Sequence, residues 1–226
     1  MTYGFIGAVP TQNKRTGNTG ILSTADIILL KQNDQLDGWG DDLMLVDKVT
    51  LSAASSVEFT SSKINVMNTA KIIFNNITFS SAGSDLRFHV SDDGGSTYKT
   101  GASYDTNNYY QRGTTRTYSS VENNVTYGRI GSGTGTATGN SLNGYIETEG
   151  SWQQLTNINP YMAPMFFRGL GVNVNNASAT AIEHQIFNSM YDVRATTLNA
   201  IKFYASTGTM SGDIYFYQYV SEAVAS

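Results

Sequence analysis

Residues 91–98 read Ser-Asp-Asp-Gly-Gly-Ser-Thr-Tyr, an S-x-D-x-G-x-T-aromatic pattern with carboxylates in a turn context. Asp93 can accept backbone N–H bonds as an Asx turn, Gly94 and Gly95 tolerate positive φ, and Thr97 and Tyr98 restart a strand. The pattern predicts a structural turn, because a calcium loop needs more oxygen ligands at set spacing. Two histidines could act as bases. His89 alternates with Leu86, Phe88 and Val90, which turns it toward solvent or a subunit interface. His184 lies between Ile182 and Ile186 in an extended register and is expected to be partly buried. No G-x-S-x-G elbow accompanies either, so a Ser-His-Asp hydrolase is disfavoured. Glu147 and Glu149, two apart on a strand, would share a face and repel each other unless solvated or bridged by a cation. Two carboxylates also serve glycosidases, but the chain holds only six Glu, and nothing else in it supports hydrolysis. The run Gly131-Ser132-Gly133-Thr134-Gly135 lacks both the final Gly of a dinucleotide fingerprint and the Lys of a P-loop. Neither catalytic residues nor a cofactor or metal site is expected.

The aromatic side chains are more suggestive. Tyr104, Tyr109, Tyr110, Tyr118 and Tyr127 crowd a polar stretch that also holds Arg112 and Arg116, with Trp152 further on. Exposed Tyr among Asn, Thr and Ser can stack on sugars or make adaptable polar contacts. The same residues could equally cover core edges or fill a subunit interface. Tyr104, Tyr109, Tyr110, Arg112 and Trp152 are therefore candidates for contact with a glycan or protein partner.

Composition narrows the class. Only 14% of the 226 residues are charged, whereas 23 Ser, 26 Thr, 20 Asn and 22 Gly fill 91 positions. Net charge is −4, which argues against electrostatic nucleic-acid binding. No apolar run is long enough for a membrane span, and the absence of Cys excludes disulfides and thiolate chemistry. Phe5–Val9 is too short and lacks the basic flank of a secretory signal.

The elements that must position these side chains are mostly strands. Residues 1–42 read differently from the rest: an extended arm interrupted by Gly4, Gly7 and Pro10, then the polar stretch 13–18 containing Lys14 and Arg15. One short helix follows, with Ser23 as N-cap and Asp26 in its first turn, ending near Asn33. The helix either docks on a neighbouring molecule or packs on its own domain. From Leu43 onward the apolar period becomes two. Leu43, Leu45, Val49 and Leu51 alternate with polar residues, with Asp47 out of place. Further runs include Leu86–Val90, Met165–Val174, Ile182–Met190, Leu198–Tyr204 and Ile214–Tyr219. About eight strands at such spacing predict an all-β antiparallel sandwich over residues 43–226. Segments 101–124 and 128–144 are weakly patterned; the Gly-rich one reads as a flexible loop or a thin strand.

Three stretches resemble phage virion structural proteins of marine origin. The first is Gly4-Phe5-Ile6-Gly7-Ala8-Val9-Pro10, followed by Thr19–Ser23 and the Trp39-Gly40 turn. The second runs from Ser55 to Thr60 and from Lys71 to Ile77; the third runs from Asp85 to Ser91 into the Asp93 turn, a motif also similar to the structural turns of sialidases. Ile201–Tyr204 and Gly212–Tyr217 close the pattern, and residues 101–170 are unmatched. The resemblance implies a jelly-roll-like sandwich without enzymatic activity, located in the virion as a tail-fibre or adhesin component, with capsid decoration as the alternative and a polysaccharide-modifying spike as a third. It implies attachment to other virion proteins through Phe5, Ile6, Val9, Lys14, Arg15, Ile21 and Leu22, homotrimeric assembly, and host surface glycan as a partner, without nucleic acid or membrane insertion.

Overall fold

The computed structural model describes Leu43–Tyr219 apart from residues 61–68, 113–114, 135–139, 150–164, 175–181 and 194–197. The arm and helix expected in residues 1–42, and Trp152, lie outside the described residues. Among the described residues there are twelve strands rather than about eight, and no helix. They are β1 (Leu43–Ala54), β2 (Ser56–Phe59), β3 (Ala70–Phe79), β4 (Ser84–Ser91), β5 (Tyr104–Arg112) and β6 (Thr115–Val125), then β7 (Gly128–Thr134), β8 (Leu142–Glu149), β9 (Met165–Val174), β10 (Ile182–Tyr191), β11 (Ala200–Ala205) and β12 (Met210–Tyr219). The two weakly patterned segments account for part of the excess. Segment 101–124 makes the hairpin β5–β6, and the Gly-rich segment opens with β7.

All pairings are antiparallel. An eight-stranded sheet has the order β1-β12-β3-β8-β9-β10-β5-β6, and a four-stranded sheet has the order β2-β11-β4-β7. The chain changes sheet at every step from β1 to β5, which binds the two layers together. Six phenylalanines interleave between the layers. Phe59 stacks on Phe216 at 5.1 Å, Phe74 meets Phe203 edge-on at 5.3 Å, and Phe88 lies 4.4 Å from Phe167. Each is at most 1% exposed, and such pairs add to the free energy of burial itself.

Asp47 interrupts the apolar register because a bulge separates Leu45 from Asp47 along the β1–β12 pairing. Further irregularities lie side by side at Leu51/Ala54, Ser211/Asp213 and Phe74/Ile77. At the middle one Gly212 has φ +131°, and a Cβ there would come within 2.5 Å of the Asn76 carbonyl oxygen, so only glycine fits.

Candidate interaction face

The turn after β4 is tied down from within. The Asp93 carboxylate accepts from the Thr97 hydroxyl, from the Thr97 N–H at 2.9 Å and from the Ser91 hydroxyl at 2.7 Å. These bonds, the Thr97 hydroxyl first, hold the Asp93 carboxyl far below the usual carboxylate range. Gly94 and Gly95 have φ of +76° and +93°. The Asn199 amide clasps the turn, its oxygen accepting from Gly94 N–H and its nitrogen donating to the Asp92 carbonyl. Asp92 pairs with Lys99 at 2.6 Å. Each carboxylate here is engaged by the turn itself.

His89 is half-buried, with Nε2 2.9 Å from the Thr126 carbonyl and 3.0 Å from the Tyr204 hydroxyl. Burial depresses its pKa, and the nearby Lys202 and Arg87 cations act the same way, against the Thr126 carbonyl. His184 is not partly buried: it is exposed on the outside of β10. It does share a side with Ile182 and Ile186, but that side is the exterior of the large sheet. Glu147 makes a 2.8 Å ion pair with Lys71, whose ammonium also lies 4.1 Å from the Tyr145 ring centre. The Glu149 and Arg112 side chains are outside the description. Among the described residues no group of three or more His, Asp or Glu is placed to hold a metal ion.

The candidate tyrosines divide. Tyr104 is not at the surface: it is fully buried, its hydroxyl donates to the Lys99 carbonyl at 2.9 Å and accepts from Val90 N–H at 3.1 Å, and its ring meets Phe88 and Tyr191. Tyr110 is 6% exposed and alternates with Tyr109 to the inner side. Tyr104, Thr106, Asn108 and Tyr110 of β5 point inward, which leaves Tyr109 as the member of the trio facing out, at 40% exposure.

Tyr109 belongs to a row that crosses the whole outer face of the eight-stranded sheet. Successive strand partners are Lys48, Tyr215, Ile73, Tyr145, Leu170, Ile186, Tyr109 and Ser119, one from each of the eight strands. On one side runs a charged row, Tyr217, Lys71, Glu147, Arg168 and Asn188. On the other side runs a row of amide, aliphatic and imidazole side chains, Asn143, Val172, His184 and Gln111. A groove of about 580 Å³ opens over β8, β9, β10 and β5, walled by Tyr109, Tyr145, Leu170 and Ile186 with Asn143, Gln111 and His184 at its margin. A second recess of about 410 Å³ lies on the far side of Tyr145, against Ile73, Tyr215 and Tyr217. Aromatic and branched aliphatic surface with amide and imidazole groups at its edge is suited to holding another molecule's surface by shape and hydrogen bonds rather than by charge.

Sequence reading singled out Tyr109 as a contact but missed Tyr145, Leu170, Val172, Ile182 and Ile186. Their alternation is visible in the sequence. What it does not carry is the side on which the second sheet packs. No protein-family model, curated protein or solved structure matches the chain.

Proposed function

We propose that this protein is a non-enzymatic structural component of a phage virion, displayed on the particle surface as part of a tail fibre or adhesin and built on a jelly-roll-like arrangement of its two sheets. The observation that carries the reading is the outer face of the eight-stranded sheet. Its central row is apolar across six strands, and the carboxylate of its charged flank, Glu147, is held in an ion pair with Lys71. A contact surface of this kind does its work by adhesion and assembly. The sequence resemblance to virion proteins supports the location, and the small number of charges agrees with partners chosen by shape. Capsid decoration is the second reading; the same face and an attaching arm would serve it equally.

The arm supplies the test. A phage encoding the protein without residues 1–22 is expected to make particles that lack it, while the purified truncated protein keeps a wild-type circular dichroism spectrum. Normal occupancy of the particle by the truncated protein refutes arm attachment. Purified full-length protein that blocks adsorption of phage to host cells identifies the adhesin. Particles that instead lose only heat resistance without the protein identify the decoration.

A further inference from the structure

We propose that the outer face of the eight-stranded sheet is the interface between copies of this chain, so that the partner seated on it is a second copy. The inference rests on reading this face as a contact surface and names its occupant.

The first argument is an inversion of polarity. Toward one end of β9 and β10 aliphatic residues point outward, Leu170 49% exposed, Val172 38%, and Ile182 and Ile186 each 52%, whereas Met165, Phe167, Phe187 and Tyr191 of the same strands point into the core. The residues pointing inward from the same strands include Asn173, Glu183 and Gln185, all at most 3% exposed. A one-residue slip of these strands would hide the four aliphatic side chains but turn Phe167 and Phe187 out of the core, so the register that buries the phenylalanines is also the one that presents an apolar outer face. The observed register leaves four aliphatic side chains outside, while inside the Gln185 amide nitrogen donates to the Glu183 carboxylate at 3.3 Å. That arrangement is favoured when apolar surface covers the outer side.

The second argument is size. The sheet has eight strands. The central row crosses eight strands and the flanking rows five and four; with ~4.8 Å by ~6.7 Å for each position the face covers roughly 550 Å² per copy, near the ~600 Å² per partner at the lower end of specific interfaces. Face-to-face packing of sheets at ~10 Å is also how such surfaces bury branched side chains in sandwiches.

The third argument is chemistry. Sugars stack on flat aromatic faces, whereas the middle of this face projects the branched methyl groups of Leu170 and Ile186 between Tyr145 and Tyr109. Depleted charge in the centre and charged residues along one margin match the core and rim of a protein interface. A face that meets its own copy also needs no complementary charge elsewhere.

The test uses the full chain. Light scattering or sedimentation at micromolar concentration is expected to give a dimer or larger assembly for the wild type. The double variant Leu170→Glu with Ile186→Glu is expected to fall to monomer, with association weakened at least about 100-fold and the circular dichroism spectrum unchanged. Val193→Glu, exposed but outside the sheet, should keep the wild-type mass. To guard against misfolding, Leu170→Gln with Ile186→Gln should weaken association in the same direction with an unchanged melting temperature in the monomer. A wild type that stays monomeric overturns the proposal, as does a double Glu variant that keeps the wild-type mass. So does a monomer in which a host glycan protects Tyr109 from chemical modification. Failure of the functional reading shows separately, since an assembling protein that neither joins particles nor blocks adsorption would sink that reading and leave this interface standing.

Discussion

Tyr104→Phe separates the inward tyrosine from the outward one by removal of a single oxygen atom. The ring would stay between Phe88 and Tyr191, so packing is nearly conserved. The hydroxyl, however, makes two hydrogen bonds: it donates to the Lys99 carbonyl and accepts from the N–H of Val90, a residue with no exposed surface. Leaving a buried N–H without a partner costs about 1–3 kcal/mol, and the lost bond to Lys99 adds about 0.5–1.5 kcal/mol. The expected total is roughly 2–4 kcal/mol. For a chain of this size each kcal/mol lowers the melting temperature by about 2–4 °C, so a mid-range loss of about 3 kcal/mol should appear as a fall of about 6–12 °C. The matched control is Tyr109→Phe. Its hydroxyl has an exposed 3.5 Å contact with the Asn107 amide, and the change should stay within about 0.5 kcal/mol. Urea unfolding followed by circular dichroism measures both. If Tyr104→Phe costs no more than Tyr109→Phe, the Tyr104 hydroxyl is not anchored between β4 and β5, and the division of tyrosines into inner and outer is wrong.

Two further perturbations probe other parts of the fold. Gly169→Ala would set a methyl group 1.8 Å from the Tyr145 carbonyl oxygen and 2.7 Å from the Ile146 Cα; the β8–β9 pairing must open, and a loss above about 3 kcal/mol is expected in the urea midpoint, against under about 1 kcal/mol at a position with room for a methyl. For His89, burial and neighbouring cations lower the folded pKa below the ordinary 6.5. The unfolded chain then binds the proton more readily, so stability is fully present above about pH 6.5 and declines as pH falls toward the folded value. His89→Gln should flatten that part of the profile of urea midpoint between pH 7.5 and 5.5, and an unchanged slope would assign the decline to other groups.

The strands were legible where alternation meets burial on one side. Leu86, Phe88 and Val90 point into the sandwich as their spacing requires, and β9 spans the run Met165–Val174 read from the sequence. Segment 101–124 was illegible because β5 buries Tyr104, Thr106, Asn108 and Tyr110, a mixed inner face that hydrophobic period alone does not detect. The candidate contacts suffered for a related reason. Crowded tyrosines look alike in sequence, but strand parity sends Tyr104 and Tyr110 inward and Tyr109 outward. Tyr145 and Leu170, their partners on the outer face, come from strands far along the chain, and only pairing register brings them into one row.

The scarcity of charge takes on a different meaning in three dimensions. A natural expectation is that Ser, Thr and Asn coat the outside of the strands. Several instead sit inside: Ser84, Ser91, Thr106, Asn108, Thr148, Asn173 and Ser189 are each at most 1% exposed. Small neutral polar groups can be buried because one or two hydrogen bonds satisfy them. Thr148, for example, accepts from the Ala70 N–H at 2.8 Å, and Ser189 bonds both backbone groups of Arg129, which ties β10 of the large sheet to β7 of the small one. A charged group in those places would carry a far larger desolvation cost. On β10 the inward Ser189 is satisfied in this way, while Ile182 and Ile186 of the same strand face outward. The composition that first reads as a neutral coat thus also supplies buried positions, and it stands beside an apolar face directed outward.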